Sequence, residues 1–136
     1  MEELTRDQYL ALQYHFVQFF AEHLAETSVA FNGDLQEMLV LAIVGQVRLR
    51  AEEQGRNDAP ITASRISDVT AIPRQTVRRK LQSLERRGWV EQIDGGAWQI
   101  VMFEDGEAAA RRDLSELDRR GIGRIVRFIR AVRAVV

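Results

Sequence analysis

The 136-residue chain has no cysteine and two prolines. The first absence excludes structural disulfides, thiolate metal sites and thiol redox sensing. The second, with 46% hydrophobic and 29% charged residues, fits a soluble and largely helical protein of one domain. No uncharged apolar run approaches the ~20 residues that a membrane span needs; the longest runs only from Met38 to Gly45. The opening "MEELTRDQYLALQ" is acidic and reads as neither a signal nor a transit peptide, so a cytoplasmic location is expected. Walker-type and dinucleotide glycine motifs are missing, as are internal repeats. His15 and His23 stand eight apart, off the three- or four-residue spacing of a helical metal pair. No Ser/His/Asp grouping can be drawn from such scattered residues. The expectation is a non-enzyme with no metal and no cofactor.

What is present is unevenly spread. The net charge of −1 divides into −6 over residues 1–59, +3 over 60–101 and +2 over 102–136. Such asymmetry points mildly to a polyanionic partner, which meets a local basic face rather than the bulk charge.

Apolar periodicity and breakers give the order α-α-(β)-α-α-β-β-α(α). Thr5 and Gln8 have capping-box spacing before a helix. Its apolar stripe takes Tyr9, Leu12 or Leu10, Phe16, Phe19, Phe20 and Leu24. Asn32 or Asp34 caps a second helix that is apolar almost all round at its centre and therefore expected to be buried. Ile61 reads as a very short strand, and Thr62 caps a third helix, "ASRISDV". After "TAI", Pro73 suits the first position of a fourth helix, which Gly88 closes. "WVEQI" and "AWQIV" flank "DGG", a hairpin signal. A last helical region runs from about Glu104, with a bend or break expected at Gly121 and Gly123.

Short helix, turn, helix and hairpin make a winged helix-turn-helix. The stretch "ISDVTAIPRQTVRRKLQSLERRGWVEQIDGGAWQIVMFEDG" resembles the DNA-binding core of MarR-type bacterial transcriptional regulators. Ile66, Ile72, Thr76-Val77, Leu81, Leu84 and Gly88-Trp89-Val90 carry the likeness, with Phe103 to Gly106 as the strand-to-helix junction after the wing. It extends over roughly residues 60–106. The resemblance implies a mainly α fold in which a winged helix-turn-helix core, about 34–103, bears a small β-hairpin wing. Flanking helices, about 5–29 and 104–136, would intertwine as a homodimer. It also implies room for a small-molecule effector, for which no residue pattern identifies a pocket. Three positions depart from the family: Ala71 stands where many members have glycine, Thr70 where a larger apolar residue is common, and "DGG" lacks the Asp-x-Arg wing motif associated with minor-groove contact.

The helix expected over 73–87 supports the same reading on its own chemistry. Val77, Leu81 and Leu84 share a core-facing stripe, and Gln75, Arg79, Gln82 and Arg86 lie opposite. An arginine-rich face alone reads as merely solvated. Behind a helix-turn break and ahead of a glycine-capped hairpin, it reads as a surface for nucleic acid. Arg74, Gln75, Arg78 and Arg79 are the candidate base readers, because arginine pairs bidentately with guanine and glutamine with adenine. Thr62, Ser64, Arg65, Thr76 and Lys80 are candidates for phosphate, although Thr76 also suits local packing. Gly95 and Gly96 form the wing tip, while Arg86 and Arg87 add general charge. In the terminal segment, arginines recur every three residues beside Ile122, Ile125 or Val126, Ile129, Val132 and Val136. That amphipathic pattern fits either a dimer interface or a membrane-surface helix, and the equally apolar first helix favours the dimer. The sequence thus points to a homodimer that binds double-stranded DNA and regulates transcription. The alternative is a winged helix that docks on an acidic protein.

Overall fold

A computed structural model describes residues 3–136. It contains α1 (Arg6–Ala30), α2 (Leu35–Glu53), α3 (Ala63–Thr70), α4 (Arg74–Arg86), β1 (Val90–Gln92), β2 (Trp98–Ile100), α5 (Ala109–Asp113) and α6 (Ser115–Val135). The chain divides into two compact units, one built on α1 and α6, the other Gly33–Leu114.

In the first unit α1 and α6 run antiparallel. Thr5 and Gln8 close a complete capping box at the start of α1. Gln8 Nε2 donates to the Val135 carbonyl at 3.3 Å, Phe19 and Phe128 meet at 5.5 Å between centroids, and Glu26 pairs with Arg120 at 3.2 Å. Glu22 pairs with Arg127 and Glu26 with Arg124 as well. Arg120 and the first two arginines of the α6 repeat, Arg124 and Arg127, therefore form a ladder against α1 carboxylates. Of the α1 stripe, Leu12, Phe19 and Leu24 are partly covered, while Tyr9, Phe16 and Phe20 stay exposed. One expectation fails here. The terminal helix does not start at Glu104, nor do its glycines break it. Phe103–Glu107 forms a turn with Gly106 at φ 84°, and α6 continues through Gly121 and Gly123. Glycine costs a helix interior only about 1 kcal/mol. Gly121 offsets that by packing, since a Cβ there would lie 3.2 Å from His23 Cε1.

The second unit holds an apolar core. Val40 and Val44 of α2, Ile66 of α3, and Val77, Leu81 and Leu84 of α4 are all 0% exposed, and Val90, Trp98 and Ile100 close it from the hairpin. Ile61 exchanges both backbone hydrogen bonds with Trp98 at 2.8 Å, the expected short strand in its minimal form. β1 and β2 pair antiparallel with Val90 opposite Ile100 and Gln92 opposite Trp98. α2 departs from expectation: only one side is buried, and Leu35, Leu39 and Leu49 remain exposed opposite it. A centre that is apolar all round satisfies the core with one face and leaves the other uncovered. Asp34 is the α2 cap, accepting from the Glu37 N–H at 2.9 Å, while Asn32 adopts φ 54°. Pro73 is the N-cap of α4 rather than its first residue, because its ψ of 143° is still extended.

Among the described residues, no helix is long and apolar enough to cross a membrane.

Candidate nucleic-acid interface

The turn between α3 and α4 is built from short polar side chains. Thr70 Oγ1 donates to the Ile66 carbonyl at 2.6 Å and accepts from the Ile72 N–H at 3.2 Å. Ser67 Oγ donates to the Ile72 carbonyl at 2.6 Å. Thr70, where a larger apolar residue is common among the regulators resembled, thus stitches the turn by hydrogen bonds. Ala71 sits at φ 62°, ψ 12°, fully left-handed, which explains why glycine suits this place. Ile72 is buried and fixes the chain as it enters α4.

Burial of Val77, Leu81 and Leu84 decides which side of α4 is left outside. Arg74, Gln75, Arg78, Arg79, Gln82 and Arg86 are exposed on it. Arg79 donates to Thr76 Oγ1 at 3.2 Å, so Thr76 steadies a neighbouring guanidinium. The first turn of α4 has no side-chain cap, and its outward N–H groups add positive potential beside Arg74 and Gln75.

The opposite edge of α4 is tied to the first turn of α2. Ser83 Oγ donates to Glu37 Oε1 at 2.8 Å and Arg87 Nε approaches the same oxygen at 3.5 Å. Glu37 is only 4% exposed, so this carboxylate is a buried acceptor shared by two α4 groups. Lys80 pairs with Asp34 at 2.7 Å. Burial raises the Asp34 pKa, but the Lys80 and Glu37 hydrogen bonds and the nearby cations outweigh it and hold the carboxyl below its ordinary range. Arg87 also stacks over Trp89 at 4.8 Å. Lys80 and Arg87, read from sequence as charges for phosphate or general attraction, thus turn toward α2.

Among the other expected residues, Thr62 Oγ1 accepts from the Arg65 N–H at 3.1 Å, capping α3, while Arg65 is exposed and Ser64 half-buried. Gly95 and Gly96 form an exposed tip at φ 87° each. The fold brings Thr62, Ser64, Arg78, Gly95 and Gly96 together around one groove of about 360 Å³ between α3, α4 and the wing. Gln82 and Gln92 line it too. The signal for Gln82 was present, since it follows Arg78 by four residues on the exposed face. Gln92 had none: only the folded hairpin brings it beside α4.

Residues 52–97, from the end of α2 through the wing tip, match the family model described as the MarR family. No curated protein and no solved structure matches the chain.

Proposed function

We propose, from the MarR-family match over residues 52–97 and the winged helix-turn-helix around it, that the chain is a homodimeric, sequence-specific DNA-binding regulator of transcription, acting in the cytoplasm. One observation supports this most: the arginine-and-glutamine side of α4 faces outward while its apolar side is wholly buried. In this reading α4 enters a major groove, with Arg74, Gln75, Arg78 and Arg79 at base edges. Thr62, Ser64 and Arg65 meet phosphate at the start of α3, with Thr76 holding Arg79 and Lys80 contributing charge from its place beside Asp34. The exposed apolar side chains of α1 and α6 supply the dimer surface, so the site is pseudo-palindromic with half-sites about one helical turn, roughly 10 bp, apart. An effector, where one binds, belongs to the same regulatory role.

Selection of bound duplexes from a random pool tests activity and spacing together. Gln75→Ala and Arg79→Ala should each cost about 1–3 kcal/mol on the selected site and relax base preference, whereas Arg65→Ala should weaken all sequences alike. Equal losses on selected and random duplexes for all three would remove the base-reading role.

A second reading is a winged helix whose basic α4 face alone docks on an acidic protein; one fact weakens the wing's part in DNA contact and so leaves it room: no lysine or arginine occurs from residue 88 to residue 110. Titration with random duplex across salt separates the two. DNA binding gives a steep linear fall of log affinity with log salt, and no binding even at low salt favours the protein partner.

A further inference from the structure

Resting on the DNA-binding reading, we infer that the groove between α3, α4 and the wing holds one phosphodiester of a bound strand through uncharged donors, and that the wing tip stays out of the minor groove.

The wing's charge comes first. Residues 88–110 contain Glu91, Asp94, Glu104, Asp105 and Glu107 and no cation. Asp94 stands at the tip beside Gly95 and Gly96. A minor groove concentrates negative potential and rewards inserted arginine, so an acidic tip is repelled from it. The flank of the wing that faces α4 has different chemistry. Gln92 Nε2 donates to the Gly96 carbonyl at 3.1 Å, which fixes the carboxamide across the turn and leaves its second N–H free to donate. Gln82 presents its amide from α4, and Thr62 and Ser64 present hydroxyls from α3. The buried Trp98 also lines the groove, and Arg78, its one cation, has its place at a base edge in the proposed function, so the donors left for the phosphate are uncharged. Hydroxyls and amides converging from three elements suit the paired oxygens of a phosphate, which accept from donors of any direction. The exposed Gly95–Gly96 edge leaves the groove open for a strand to pass through. The wing therefore acts as a neutral clamp on the backbone.

This clamp has an electrostatic signature. A contact made by a neutral donor releases no counterion, whereas each phosphate neutralised by Lys or Arg adds about 0.9 to the salt slope. The experiment measures the affinity of the full-length protein for a random-sequence duplex at several salt concentrations, for wild type, Gln82→Ala, Gln92→Ala and Arg65→Ala. The glutamine variants should bind roughly two- to ten-fold more weakly at every salt, the range of one neutral hydrogen bond, with log–log lines parallel to wild type. Arg65→Ala should lose affinity and flatten the slope. Both glutamines are exposed, so circular dichroism should show an unchanged fold. Wild-type affinity in both glutamine variants, or a flattened slope in either, overturns the clamp while leaving DNA binding intact. Failure of wild type to bind duplex at low salt removes the DNA-binding reading and the clamp with it.

Discussion

At the residue scale, two positions carry measurable consequences. Ala71 holds the helix-turn-helix corner at φ 62°, a region that costs an L-residue about 1–2 kcal/mol. Glycine removes that cost and adds about 0.5–1 kcal/mol of backbone entropy. Ala71→Gly should therefore stabilise the protein by about 0.5–1 kcal/mol, read as a rise in urea midpoint at constant m-value. His23 stacks parallel to Phe19 at 5.9 Å between centroids and lies 3.5 Å from Arg124. Burial, and then the Arg124 charge, lower its pKa from 6.5. The unfolded chain thus takes up the proton more readily than the folded one. The stability that His23 contributes is complete above about pH 6.5 and is lost as pH falls toward the lowered folded value. Melting should drop across that window, and His23→Gln should flatten the dependence; an unchanged profile would show that the imidazole is not titrating against the fold.

At the scale of elements, the sequence was informative where one pattern served one structural role. Val77, Leu81 and Leu84 gave the buried side of α4, "DGG" gave the hairpin turn, and Thr5 with Gln8 gave the α1 cap. It was less informative where apolar residues exceeded what one core accepts, so α2 read as more covered than it is. Gly121 misled for a related reason: local propensity says break, and close packing on His23 overrides it. Of the candidate site, the outward side of α4 was legible, and the anchor behind it was not. Glu37 lies far along the chain from Ser83 and Arg87, so nothing local marks it as their acceptor. Glu37→Ala should take from Ser83 Oγ its acceptor and from Arg87 one of its contacts, and cost about 1–3 kcal/mol in denaturation. Its loss should also lower affinity for selected and random duplexes equally, because it positions α4 without facing DNA. A change confined to the selected site would assign Glu37 a different part.

At the scale of the molecule, exposed apolar surface is concentrated on α1 and α6. Phe16 is 56% exposed and stacks on Phe20 at 6.0 Å, and Ile125, Val126 and Ile129 line α6. Covering one phenylalanine is worth about 1.5–3 kcal/mol, which converts to roughly 10- to 100-fold in a dimer constant. If α1 forms the dimer surface proposed above, Phe16→Glu should shift the protein to monomer in sedimentation and abolish the preference for paired half-sites, while the Gly33–Leu114 unit keeps its hairpin and helices. Retention of the dimer would place the partner's surface elsewhere. The close approach of Gly121 to His23 limits what α1 and α6 can do as a pair. Sliding α6 by one turn would bring Leu117 or Ile125 to a place where even a Cβ asks the His23 ring to yield by a few tenths of an ångström. Translation along the helix axes is thus disfavoured, and a shape change in this pair is easier as pivoting about that point, as scissor blades turn on their rivet.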